Sequence, residues 1–216
     1  MVQISPATAG EPDSRAHRKQ LEILAAASRA FRRQGLHATG MRDIAAESKM
    51  HVGNLYYYFR NKQELLAFCQ ERTLAGLLEL VERIEAVPDP ADRKLHRLIV
   101  GHVVRLNDEM PGSLAHLEVE ALEEPWRRDI VRARDRYEKA VQRLIREGVE
   151  EGIFAAVDVG VVSKGILGAV NWTVKWFDPR GRRRPEQIGH ELARLLVGGL
   201  LAPQKGDPRD QGDTNG

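Results

Sequence analysis

The sequence predicts an all-α protein of about nine helices, and two patterns support this prediction. Leu21, Leu24, Ser28 and Phe31 follow one another at three- and four-residue spacing, and similar spacings continue along most of the chain. This is the period of a helix with one buried face. No segment alternates apolar and polar residues between hairpin turns, as a strand in a sheet would. We therefore expect a three-helix N-terminal domain followed by a larger helical domain.

Glycine and proline mark where the predicted helices begin and end. The first helix stops at Gly35, two short helices follow at 41–47 and 52–58, and a long helix covers 62–86. The long helix ends before Pro88, because a proline disfavours helix at the residue before it. Further helices are predicted at 91–109, 114–122, 126–151, 159–177 and 186–201. Domains are predicted at 15–76 and 77–203, between disordered tails at 1–14 and 204–216 that are rich in proline, glycine and aspartate.

Composition argues against a membrane or secreted protein. The chain has 216 residues and no uninterrupted apolar run of about 20 residues, the length needed to span a bilayer. Its start lacks the charged and then apolar segments of a secretory signal. A single cysteine, Cys69, excludes an intrachain disulfide and suits a reducing compartment. We therefore expect a cytoplasmic protein.

Charge is distributed unevenly along the chain, although its net value is only +2. Residues 15–62 contain ten Lys/Arg and three acidic residues, whereas residues 63–177 contain sixteen basic and twenty acidic residues. A basic N-terminal segment on an acidic remainder is typical of a surface that binds a polyanion. A solvated charged face is the alternative interpretation.

Residues 39–65 predict a helix-turn-helix, with Thr39 as a cap for its first helix. The second helix of this motif must remain exposed so that it can enter the major groove of DNA, while a small apolar core joins the two helices. The residues expected to form that core are Ile44, Ala45, Met50, Leu55 and Phe59.

The second helix of the motif carries residues suited to reading bases. Gly53 has no side chain, so the backbone there can approach a base or a phosphate closely. His51 and Asn54 offer donors and acceptors to base edges, and Val52 can contact a thymine methyl group.

Three consecutive tyrosines end this helix. Successive helical residues point about 100° apart, so Tyr56, Tyr57 and Tyr58 cannot all be core. One of them, Tyr56 or Tyr58, is expected to pack against the long helix. Phenolic hydroxyls beside Arg42 and Lys62 suit phosphate contacts, and Lys62 also begins a helix whose free N–H groups favour an anion.

The order Thr-x-x-x-Asp-Ile-Ala, then Gly-Asn-Leu-Tyr-Tyr-Tyr-Phe-x-Asn-Lys-x-Glu-Leu-Leu, resembles the DNA-binding domain of the TetR family of bacterial repressors over residues 16–76. Two positions depart from that pattern. Lys49 stands in the inter-helix turn where the family usually has glycine, and His51 stands where it often has serine or threonine. The resemblance implies DNA contacts at Thr39, Arg42, His51, Gly53, Asn54, Tyr57 and Lys62.

A homodimer is expected, because one short recognition helix reads only a few base pairs. The last two helices have apolar faces with glycines that permit close approach, and the family resemblance implies a four-helix interface between subunits. Packing inside one chain is the alternative for both faces. The predicted interface residues are Val162, Gly165, Ile166, Leu192, Leu195, Leu196 and Gly199.

Polar residues on otherwise apolar helices predict an effector cavity in the larger domain. The segment from Asn171 to Gly181 is similar to that of acyl-CoA-responsive members that control fatty-acid or steroid breakdown, which implies an acyl-CoA effector. Arg182, Arg183 and Arg184, or Arg105, would then lie near its anionic head group, unless the three arginines form only a solvated loop. The predicted effector contacts are His102, Arg105, Tyr137, Asn171, Trp172, Lys175 and Trp176.

The motifs of an enzyme are not found in the sequence. It has no glycine-rich phosphate loop and no nucleophile motif, and His96 and His102 are six residues apart, which does not place them on one helix face to bind a metal. We therefore predict no catalysis, no metal and no cofactor. The expected function is a repressor that a small molecule releases from a palindromic operator. A helical module that binds protein rather than DNA is the alternative.

Overall fold

The computed structural model describes residues 15–109 and 116–203. These residues confirm the all-α prediction, since they contain eight α-helices and no strand beyond one isolated bridge between Phe154 and Leu201. Both predicted tails lie outside the described residues. The helices are α1 (Arg15–Gln34), α2 (Met41–Glu47), α3 (Val52–Tyr58), α4 (Lys62–Glu85), α5 (Ala91–Val104), α6 (Trp126–Glu150), α7 (Val159–Trp176) and α8 (Pro185–Gly198).

The helix predicted at 114–122 is wrong for the residues that the structure describes. The described part of this segment has 3-10 conformation at 116–117 and a 3-10 turn at Val119–Ala121, and no α-helix. Side chains of α4 hold its backbone: Gln63 Nε2 donates to the Ala121 carbonyl at 2.8 Å, and the Glu123 N–H donates to Gln63 Oε1 at 3.1 Å. Gln70 Nε2 donates to the Glu118 carbonyl at 3.2 Å. Because these groups bond to α4, they do not need a helical partner.

The chain forms two compact units, and the division falls inside α4, after Thr73, and inside α6, after Arg132. The head unit comprises the described residues up to 73 and within 109–132, and the body unit contains the others. Residues 116–132 group with the head unit, and the domain bounds at 15–76 and 77–203 stay a prediction.

The head unit is built on the apolar face of α1. Leu24, Ala27 and Phe31 are buried at helical spacing, and they form a core with Ile44 of α2 and Leu55 of α3. The helix ends as predicted, because Gly35 adopts a φ of +83° that favours glycine and its N–H donates to the Phe31 carbonyl. These contacts place α2 and α3 side by side.

The body unit has its own core, formed by apolar side chains from α4 to α8. Helices α5 and α8 pack especially closely, since a Cβ added at Gly189 would lie 2.9 Å from the Cα of Val100. A larger residue at 189 would therefore force the two backbones apart. Helix α5 continues into a π-helical turn at Arg105–Glu109, where the prediction had one helix to residue 109.

Candidate functional sites

The turn between α2 and α3 contains a residue with a positive φ at the position where the family usually has glycine. Lys49 has a φ of +55°, a left-handed conformation that costs a non-glycine residue roughly 1–2 kcal/mol. The turn is closed by the Met50 N–H, which donates to the Ala45 carbonyl at 2.9 Å. His51 is the N-cap of α3, and its side chain makes no capping hydrogen bond, whereas serine and threonine are preferred at this position because they do.

Helix α3 exposes most of its surface. Leu55 is buried, whereas Val52, Gly53, Asn54 and Tyr56 are exposed. A Cβ added at Gly53 would meet no atom within 4 Å, so packing within the described chain does not require glycine there. We call the exposed residues His51–Asn54, Tyr56 and Tyr57 the recognition face.

The three tyrosines differ in burial, as expected. Tyr57 is 83% exposed and Tyr56 is also exposed, whereas Tyr58 is half-buried. The Tyr57 and Tyr58 rings meet edge to face, with centroids 5.1 Å apart. Tyr58 is therefore the tyrosine that packs, and the other two present their hydroxyls to the surroundings.

Thr39 is a correction to the predicted DNA contacts. It is only 1% exposed, and its hydroxyl donates to the Gly35 carbonyl at 2.7 Å. It does not cap α2 either, because Gly40 occupies the N-cap position and donates its N–H to Asp43 Oδ2 at 2.7 Å. Thr39 therefore stabilises the turn that orients α2, and its hydroxyl points into the head unit.

Lys62 has a structural role that the sequence did not reveal. Its ammonium donates to the Leu36 carbonyl and so ties the loop after α1 to the start of α4. Partial burial lowers the pKa of Lys62. An ammonium has three N–H donors, so two remain for the predicted phosphate contact.

Ion pairs leave only part of the positive charge of the head unit available. Arg29 and Arg33 both bind Glu47, at 2.8 and 2.7 Å, and these bonds lower the pKa of its carboxyl group. Arg42 and Lys49 are exposed, and neither has an ion-pair partner among the described residues. The sequence count of ten cations did not single out Lys49, because its pairing depends on tertiary neighbours.

In the body unit the structure brings three predicted effector residues together. His102 is fully buried; its Nδ1 lies 2.8 Å from the Tyr137 hydroxyl and its Nε2 lies 3.0 Å from Asn171 Oδ1. An amide oxygen only accepts, so Nε2 carries the proton and Nδ1 accepts from Tyr137. Burial lowers the pKa of His102 to about 4 and raises the pKa of Tyr137, so both groups are neutral at pH 7. Half-buried Arg105 acts electrostatically on Tyr137.

Trp172 and Lys175 are a correction to the predicted effector contacts, because both are exposed and neither lines the cavity at the end of α7, whereas Trp176 is exposed but does line that cavity. Trp172 is 59% exposed although it follows Asn171 directly, since the next residue in a helix points about 100° away. Both tryptophans also belong to a narrow exposed stripe on one side of the helix. This α7 outer face consists of Val161, Gly165, Gly168, Trp172 and Trp176.

The predicted dimer residues divide into three groups. Gly165, Leu195 and Gly199 are exposed, and Leu195 is 70% exposed. Ile166 is wrong as an interface residue, because it is 2% exposed and lies in the core of the body unit. Helix α7 is apolar on nearly every side, so its sequence does not show which side faces the core. The remaining residues, Val162, Leu192 and Leu196, are half-buried against that core.

A cavity of about 330 Å³ lies between the end of α7 and the start of α8. Its walls are aromatic and aliphatic side chains together with two of the three arginines in the loop between α7 and α8. Phe177, Ile188 and Leu192 were not predicted for an effector site, because they are ordinary apolar residues in sequence. The lining residues are Trp176, Phe177, Asp178, Gly181, Arg182, Arg183, Ile188, Glu191 and Leu192.

None of the described helices is both long and apolar enough to cross a membrane.

Two family models match the chain. The model of bacterial regulatory proteins of the tetR family matches residues 23–68, and the model of the tetracyclin repressor-like C-terminal domain matches residues 88–200. HTH-type transcriptional repressor KstR2 of Mycolicibacterium smegmatis is 27% identical over 209 residues, which are 93% of this chain and 98% of the relative.

Solved structures agree with this assignment. The TetR family transcriptional regulator PfmR of Thermus thermophilus has a TM-score of 0.74 and 30% identity, over 83% of this chain and 99% of that one. AibR in complex with isovaleryl coenzyme A and operator DNA has a TM-score of 0.71 and 24% identity, over 86% and 99% of the two chains, and shows the same fold. The chain belongs to the TetR family and is a DNA-binding transcriptional regulator, not an enzyme.

Proposed function

We propose that this regulator is a cytoplasmic repressor that binds a palindromic operator as a homodimer and leaves it when a small molecule binds. The recognition face carries the proposal. Tyr57 is almost fully exposed, Gly53 has open space around it, and the cations of Arg42 and Lys49 have no ion-pair partner in the described chain. Packing among the described residues of the head unit does not explain why an exposed tyrosine, an open glycine and two cations without ion-pair partners occur together. Contact with a DNA duplex explains all three.

The proposed contacts follow from the chemistry of each side chain. His51 and Asn54 read base edges, and Val52 contacts a thymine methyl group. The backbone at Gly53 approaches the duplex, because no side chain separates the two. Phosphates bind Arg42, the hydroxyls of Tyr56 and Tyr57, and the remaining N–H donors of Lys62.

The α7 outer face and Leu195 of α8 are the proposed dimer surface. Both are exposed in a single chain, and such apolar patches on a protein surface mark interaction sites. Gly165, Gly168 and Gly199 allow close approach of a second copy, since no Cβ stands between the backbones. A second recognition face then reads the other half of a palindrome, about 34 Å away.

The proposed effector is an acyl-coenzyme A thioester. AibR, which has the same fold, was solved with isovaleryl coenzyme A. In this chain, Arg182 and Arg183 line the cavity together with Trp176 and Phe177. The arginines can bind the phosphates of coenzyme A, and the aromatic rings can stack on its planar base. Helix α4 is shared by the two units, and a ligand that shifts it changes the population that binds DNA.

A DNA shift assay with genomic fragments tests this function. We expect specific fragments to bind at low ionic strength, to be lost steeply as salt rises, and to be released by a subset of acyl-coenzyme A thioesters. Arg42→Gln should flatten the slope of log K against log salt by about 1.8, because each of the two subunits loses one phosphate contact. If the protein binds none of the fragments at low salt, with or without thioesters, the result would contradict the proposal and favour a protein-binding module.

A further inference from the structure

Two histidines from separate helices meet at the seam between α5 and α8. His96 Nε2 lies 3.0 Å from His190 Nδ1, and the ring centroids are 5.3 Å apart. The close approach of Gly189 to Val100 fixes the two backbones one residue away from His190. We propose that His96 and His190 form a bidentate site for a divalent late first-row transition metal ion.

The spacing of the two nitrogens suits such an ion. Imidazole nitrogens bind zinc-sized ions at about 2.0–2.1 Å, so two in adjacent positions of an octahedron lie roughly 3.0 Å apart and two in a tetrahedron roughly 3.4 Å. The observed 3.0 Å matches the first value and needs only a small adjustment for the second. The ion takes the place of the hydrogen bond that now joins the rings, and each ring turns its lone pair away from the N···N line, by roughly 45° in the octahedral case, to face the ion.

The charges around the pair also suit a cation. Asp92 lies one turn before His96 on α5 and acts on it electrostatically, and Glu186 lies one turn before His190 on α8. Arg97 is paired with Asp89, and Arg194 is paired with Glu191. On the same stretch of α5, Lys94 is paired with Glu147, and Arg93 is the other basic residue.

The ligand set determines which ions bind and how they act. Two imidazoles favour nickel, copper or zinc over magnesium and calcium, which prefer oxygen. Among the described residues no third His, Cys, Asp or Glu joins the pair to complete a set, so water fills the other positions. His190 is exposed and allows this. A bound ion therefore links α5 to α8 and stabilises the body unit.

Nickel binding to the full-length, tag-free protein tests the site. We expect calorimetry with NiCl₂ to give one ion per chain at this site. Thermal unfolding should shift upward by about 3–5 °C at a ten-fold excess over the measured Kd, because the ion binds the folded state. MgCl₂ should have no effect, and EDTA should reverse the shift.

Matched variants assign the binding to this pair. His96→Gln and His190→Gln should each abolish the nickel-dependent shift, whereas His37→Gln, at an exposed histidine of the head unit, should keep it. The proposal is overturned if the parent binds no nickel, or if the double variant binds nickel as the parent does. His190 is exposed and His96 is half-buried, so circular dichroism checks that each variant is folded.

Discussion

The recognition face on α3 and the α7 outer face both expose large side chains, but their surroundings differ. Tyr56 and Tyr57 carry hydroxyls and lie in the head unit with Arg42 and Lys49, which have no ion-pair partner among the residues that the structure describes. Trp172 of α7 shares its stripe with Val161 and two glycines instead. The first surface suits a charged, hydrogen-bonding partner, and the second suits an apolar helix. Exposure alone therefore does not identify a partner, whereas the neighbouring charge does.

The interiors behind these faces differ as well. Leu55, the buried residue of α3, lies in an apolar core, whereas the core of the body unit includes the neutral His102 network. We expect acid to destabilise the body unit through His102. The pKa of His102 is about 4 in the folded state and about 6.5 in the unfolded state. Its contribution to the free energy of unfolding is therefore complete above pH 6.5 and is lost as pH falls towards 4. The loss is about 3 kcal/mol.

Denaturant unfolding measured from pH 4 to pH 7 checks this expectation. His102→Gln should reduce the pH dependence in that interval, because an amide does not titrate there. His37→Gln is the control, and it should retain the parental slope. Equal slopes for the parent and His102→Gln would show that His102 does not contribute to acid sensitivity.

The α7 outer face is tested together with Leu195 of α8. Leu195→Glu should give a monomer and weaken operator binding by about 100-fold or more, because a single recognition helix reads only one half-site. Folding should be preserved, since Leu195 is 70% exposed. Light scattering and a shift assay measure the two effects. Val87→Glu, at an exposed valine outside both faces, should leave a dimer, and a dimeric Leu195→Glu would place the interface elsewhere.

Gly53→Ala tests the recognition face without disturbing the fold. The added Cβ meets no atom of the described chain, and alanine favours helix over glycine, so thermal stability should be unchanged or slightly higher. DNA affinity should fall by about tenfold, because the methyl group occupies the space of the duplex. Val52→Ala is the matched variant on the same helix, because it removes the side chain proposed to contact a thymine methyl group and adds nothing at the backbone. Unchanged affinity for Gly53→Ala would mean that the backbone does not approach DNA there.

Lys49→Gly should have the smallest effect. Glycine relieves the left-handed strain at φ +55° but has more freedom when unfolded, so the net gain in unfolding free energy is about 1 kcal/mol. Chemical denaturation measures this gain. Lys49→Ala removes the same charge without relieving the strain, and its stability should stay near that of the parent. If Lys49→Gly is no more stable than Lys49→Ala, the turn is not strained.

Local patterns predicted most of the fold because they depend on neighbours in sequence. Gly35 ended α1, Pro88 followed the end of α4, and the tyrosine run identified an exposed second helix of the motif. The helix at 114–122 failed for the opposite reason. Its backbone groups found partners on Gln63 and Gln70, about 50 to 60 residues earlier, and no local pattern reports such bonds.

The helical class, the helix-turn-helix and the residues that α3 exposes could be predicted from the amino-acid order, because helical period and turn chemistry act over a few residues. Three features depend on how the helices pack: Thr39 points inward, Ile166 faces the core, and His102 meets Tyr137 and Asn171. These outcomes depend on which helix packs on which side. That choice is made by burial summed over the whole chain, since a helix such as α7, apolar on nearly every side, fits a core in more than one orientation.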